Sequence, residues 1–156
     1  MDEENSFALV LGANPVESVE VELGYVTQDN DSGTCTSIAD LSTCGMGNHL
    51  NLNATVTQEV AGLGLTGAVE IQMPDEIVDQ AYMLMANATV GDTGFGGTLR
   101  LEEVSFDVAG VDDLERTTLA GTYEAQDNLF FLLEWSNTDN GTEDFDLVTF
   151  EVVGLF

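Results

Sequence analysis

Apolar and polar residues alternate along much of this chain. Val19, Val21, Leu23 and Tyr25 are interleaved with Glu20, Glu22 and Gly24, the period of two expected of a strand with one dry face and one wet face. The same alternation marks Leu50-Leu52-Ala54-Val56, Leu63-Leu65, Val69-Ile71 and Leu99-Leu101. After Glu102-Glu103 the phase slips by one residue and Val104, Phe106 and Val108 take up the apolar positions, which predicts a bulge at that pair. Further strands are expected at 6–11, 117–125, 129–135 and 147–156, for eight or nine in all.

Turn chemistry separates these runs. Ala13-Asn14-Pro15, Asp92-Thr93-Gly94, Gly110-Val111-Asp112-Asp113 and Asn137-Thr138-Asp139-Asn140-Gly141 are stretches that reverse a chain. Many short strands so spaced predict an all-β, antiparallel sandwich or barrel. After Pro74, residues Ile77, Val78, Ala81, Tyr82 and Met85 share a helical face, whereas Tyr82, Leu84, Ala86, Ala88 and Val90 fit a strand. A short helix or turn leading into a strand is expected there, and it is the one helical candidate. The chain reads as a single domain over 1–156 with one long polar loop at about 28–48.

Charge changes this picture more than any motif. The chain has no lysine, and Arg100 and Arg116 face 29 Asp and Glu, for a net charge of -27. In dilute buffer that charge opposes compaction, whereas at 1 M salt the screening length falls to about 3 Å. A protein of concentrated salt is therefore expected, its carboxylates on solvated faces and attended by solvent cations. With 44% apolar residues it can still form a core, so it is not an acidic disordered tail. Direct nucleic-acid binding is excluded as an expectation, because displacing counterions from a polyanion takes several Lys or Arg. No run of 18 apolar residues exists, so no transmembrane segment is expected. The acidic start Met1-Asp2-Glu3-Glu4-Asn5 is unlike a secretory leader.

Candidate chemistry is sparse. Gly62-Leu63-Gly64-Leu65-Thr66-Gly67 matches a dinucleotide-binding string, but strand-like alternation follows it where a helix should start. Cys35 and Cys44, with His49 nearby, are separated by eight residues, too far for a tight zinc hook. The two thiols are a disulfide candidate, with free thiols the equal alternative. Asp29 and Asp31, and Asp139 in the second loop, offer alternating oxygen ligands before a glycine and are candidate cation ligands. With one His, no Lys and no hydrolase motif, no catalytic residue is nominated, no cofactor is expected, and the protein is expected not to be an enzyme. The tail Phe150-Glu151-Val152-Val153-Gly154-Leu155-Phe156 is apolar on both faces, which suits a strand buried on both sides. Phe150, Val152, Leu155 and Phe156 are the interface candidates.

A lysine-free, acidic, mostly antiparallel chain of this length and strand number resembles the single jelly-roll shell or vertex proteins of icosahedral, membrane-containing viruses of halophilic archaea. The resemblance implies a jelly-roll-like β-sandwich that self-associates and touches neighbouring virion proteins. It implies synthesis in the host cytoplasm without a signal peptide, followed by residence in the virion. The interior of such a sandwich would hold Val21, Leu23, Leu52, Val69, Phe106, Phe131 and Val148. A tail-tube or decoration protein is the alternative within the same class. A cell-surface or secreted calcium- or carbohydrate-binding β-sandwich module is the alternative from another.

Overall fold

The computed structural model describes residues 6–28, 48–75, 78–126 and 129–154. These residues form β1 (Ser6–Val16), β2 (Val19–Gln28), β3 (His49–Val60), β4 (Leu63–Pro74), β5 (Val78–Val90), β6 (Phe95–Phe106), β7 (Leu114–Gln126), β8 (Leu129–Asp139) and β9 (Asp144–Gly154), with one 3-10 turn at Gly91–Thr93. All nine strands lie in one antiparallel sheet, in chain order, each paired with its sequence neighbour. The all-β expectation and the strand number hold. The layout is a meander, whereas a jelly roll needs long crossings between two sheets. The run after Pro74 enters β5 directly at Val78, and residues 76 and 77 lie outside the described residues.

Because paired residues in a sheet share a face, the register sorts every side chain. One row runs Leu11, Leu23, Leu52, Ile71, Tyr82, Glu103, Glu115, Asp139, Asp144. A parallel row runs Val19, Val56, Gly67, Ala86, Leu99, Leu119, Trp135, Val148. These rows define an apolar face. The opposite face carries Glu22, Asn53, Glu70, Met83, Glu102, Arg116 and Thr138 in one continuous row.

Exposure along the strands is the reverse of that in a water-soluble sheet with its apolar side covered. Along β4, Leu63, Leu65, Gly67 and Val69 are exposed while Gly64, Thr66, Ala68 and Glu70 between them are half-buried. On the polar face Thr118 and Thr138 are only 2% exposed. No second layer covers that face among the described residues, so its burial comes from its own side chains and from curvature of the sheet. The polar face is therefore concave and the apolar face convex. Val21, Leu23, Leu52, Val69, Phe131 and Val148 share the apolar face as expected, but they enclose no interior: Leu23 is 40% and Val148 66% exposed. Phe106 lies on the other face, paired with Val78.

The slip of apolar phase at Glu102-Glu103 is not a bulge. The ladder passes through that pair unbroken, with Glu102 opposite Arg116 and Glu103 opposite Glu115. Instead the apolar residues change sides: Leu99 and Leu101 stand on the convex face, Val104 and Phe106 on the concave one. The irregularities fall elsewhere, between Ala13 and Val16, Val78 and Gln80, and Glu124 and Gln126. The first contains Pro15, which an edge strand accommodates because it needs no outward N–H.

The two ends of the sheet differ. At one end the strands are joined by Glu17-Ser18, Ala61-Gly62 and the short connections at 91–94 and 127–128. Ala61 and Gly62 both have positive φ, 52° and 80°, as a tight hairpin turn requires. This end is laced by backbone hydrogen bonds from Thr57 N to Ser18 O (2.9 Å), Gly91 N to Gly62 O (2.8 Å) and Glu124 N to Gly94 O (2.8 Å). At the other end the connections span 29–48, 75–77, 107–113 and 140–143.

Candidate functional site

The two faces of the sheet carry different chemistry. Both cations stand on the concave side, on neighbouring strands. Arg100 Nε lies 3.0 Å from Glu102 Oε2, a charge contact off the hydrogen-bonding direction, since neither atom has an aligned hydrogen-bond partner. Arg116 is paired with Glu102 across the ladder and donates from Nε to Thr138 Oγ1 at 3.1 Å. Glu70 accepts from Asn51 Nδ2 (2.8 Å) and Gln72 Nε2 (2.7 Å). A cleft of about 380 Å³ lies over Glu70, Gln72, Met83, Arg100 and Glu102. Thr118 Oγ1 and His49 Nδ1 are buried without a hydrogen-bond partner.

These contacts make the concave face a cross-linked polar surface. His49 stands opposite Val26 and Pro74, neighbours that offer it neither a nucleophile nor a carboxylate. The arrangement neutralises buried charge and ties strands together, and it does not assemble a reacting centre among the described residues.

The convex face is the larger feature. Of the large hydrophobic residues that are exposed, all but Val10, Phe145, Leu147 and Val153 lie on it. Those four belong to β1 and β9, the two edges of the sheet, which are therefore apolar on both sides. Both edges also present unpaired backbone groups, since β1 pairs only with β2 and β9 only with β8. The chain exposes 10517 Å², where a compact monomer of its mass would expose about 7,600 Å².

Among the sequence candidates, Phe150 and Val152 stand on the convex face of β9, 64% and 55% exposed. Leu155 and Phe156 lie outside the described residues, as do Asp29, Asp31, Cys35 and Cys44. Asp139 ends β8, and its Oδ1 accepts the Gly141 N–H at 2.8 Å, the role of a turn-forming aspartate. No group of three or more His, Cys, Asp or Glu among the described residues is arranged to hold a metal ion. The glycine string at 62–67 forms a hairpin turn and the start of β4, so no helix N-terminus follows it to receive a phosphate. Sequence reasoning missed the polar cluster around Arg100 and Arg116. Its signal was the placement of both arginines at wet positions of successive strands. No protein-family model matches this chain, and no curated protein sequence matches it.

Proposed function

We propose that this protein is a structural building block that works by joining copies of itself edge to edge in concentrated salt, without turnover. The observation that supports it is the pair of edge strands, long, unpaired and apolar on both faces, which is the form that templates pairing with another chain. Charge selects the partners. β1 carries no charged residue, whereas β9 carries Asp144, Asp146 and Glu151. Two β9 strands would bring like charges together, so β1 belongs to every favourable contact, with β1 or with β9 of another copy.

A shell or vertex protein of a salt-adapted virus is the narrower form of this proposal, supported by composition and strand number. The test uses Val10→Glu on β1 and Leu147→Glu on β9, with mass measured by light scattering across a salt titration. Val10→Glu should reduce the assembly to monomers, and dilution of salt should do the same to the parent. Leu147→Glu should spare a closed β1-to-β1 pair and disrupt a β1-to-β9 chain. A parent that stays monomeric at all salt concentrations, or association indifferent to Val10→Glu, overturns the proposal.

A further inference from the structure

We infer that the convex apolar face is a lipid-facing surface, so that the sheet forms the wall of a membrane-embedded β-structure with its concave polar face turned away from the lipid. The inference rests on the edge-pairing proposal in one respect. Unpaired backbone groups are costly in hydrocarbon, so β1 and β9 must be paired when the sheet is inserted.

Four observations point the same way. First, the convex face carries a band without charged residues. Its border on the side of the longer connections is followed by Glu103, Glu115, Asp139, Asp144 and Asp146. Secondly, aromatic residues mark the borders. Tyr25 and Tyr82 stand at the first border with Trp135, and Tyr123 at the second with Phe95 and Phe131. The chain has three tyrosines and one tryptophan in all, and every one of them is at a border, where a ring with a polar tip meets the water interface. Tyr82 donates its hydroxyl to Glu103, just outside the band.

Thirdly, the band crosses the strands obliquely. Leu11 and Asp144 share a row, yet the apolar stretch starts at Phe7 on β1 and at Val148 on β9. That is a slip of about 8 residues, or about 27 Å, across a width of about 38 Å, which inclines the strands by about 35° to the band normal. Membrane barrels tilt their strands by about 35–45°. A typical stretch of four convex-face positions then gives a band about 22 Å tall, near the roughly 25 Å of membrane barrels. Fourthly, one end has only short turns and the other the longer connections, the asymmetry such barrels show. No helix among the described residues could cross a membrane, and that leaves crossing by strands untouched.

The rival occupant is a second copy stacked face to face, which would make the sandwich expected from the sequence. Two convex faces meet along a strip and leave the borders uncovered, and such stacking gives no reason for Tyr and Trp to collect there.

The test uses phosphatidylcholine vesicles, zwitterionic so that the protein's charge is not repelled, at roughly 1 M KCl where screening is about 3 Å. The protein should float with the vesicles, and the emission of Trp135 should be quenched by phosphatidylcholine brominated on its acyl chains. Leu84→Arg, in the middle of the band, should lower the vesicle-bound fraction about 30-fold or more. Thr57→Arg, on the polar face, should change it less than about 2-fold. Absence of flotation, or Trp135 untouched by brominated chains, overturns the inference. So does a lipid-free dimer that Leu84→Arg splits into monomers. If Val10→Glu abolishes association while the protein still inserts, β1 and β9 close within one chain; the edge-to-edge proposal then falls and the lipid-facing surface stands.

Discussion

Removing charge from the acidic row at the long-connection end should stabilise the fold in a way that salt erases. Glu103, Glu115, Asp139 and Asp144 occupy one row on four successive strands, with cross-strand neighbours about 5 Å apart. Each adjacent pair repels by about 0.8 kcal/mol in water without salt. Screening cuts this to about 0.45 kcal/mol at 0.15 M and about 0.16 kcal/mol at 1 M. The double variant Glu115→Gln/Asp139→Asn removes all of these contacts and keeps an oxygen at 139 to accept the Gly141 N–H. It should gain about 1.4 kcal/mol at 0.15 M salt but only about 0.5 kcal/mol at 1 M. Urea denaturation followed by circular dichroism measures both, urea being uncharged. An equal gain at the two salt concentrations would show that packing or hydrogen bonding, not repulsion, sets the effect, and a loss at 0.15 M would refute the electrostatic account of this row.

Two further substitutions probe the turn and the polar face. Gly94 has φ 76°, and a Cβ there would lie 2.5 Å from the Glu124 carbonyl oxygen, so Gly94→Ala should cost about 2–4 kcal/mol in the same urea assay. Glu102→Gln removes the charge between Arg100 and Arg116; with the Arg100 side chain 37% exposed, solvent holds the expected loss to about 1 kcal/mol. A neutral result for Glu102→Gln would mean that the two arginines are already balanced by water and by Thr138.

The strand number was legible because alternation is a local property: Val19 to Tyr25 and Leu63 to Ile71 show it without reference to anything else. Their common face was legible too, since a period of two allows only one assignment once the register is continuous. The arrangement of the strands was not. A meander and a jelly roll use the same strands and differ in which ones pair, and that depends on contacts no single strand reveals. Phe106 shows a related limit, because a strand that changes its apolar side at Glu102-Glu103 looks like a bulged strand in sequence. The arginine cluster was hidden for the same reason: Arg100 and Arg116 become neighbours only when β6 and β7 pair.

What covers a dry face is a separate question from which residues form it. Alternation shows that water is kept from Leu65, Leu84 and Leu99, and the net charge of -27 led toward a protein interior as the means, since an acidic surface suits brine. The register separates those two statements. The carboxylates of the convex side gather beyond its border, from Glu103 to Asp146, and the band between the borders is uncharged, so the acidity of the chain as a whole describes its ends and its concave face. A high net charge is therefore compatible with a lipid-facing band, provided the charge stays outside it. The position of Trp135 at the border makes this distinction measurable, because acyl-chain quenching reports contact with lipid whatever the total charge.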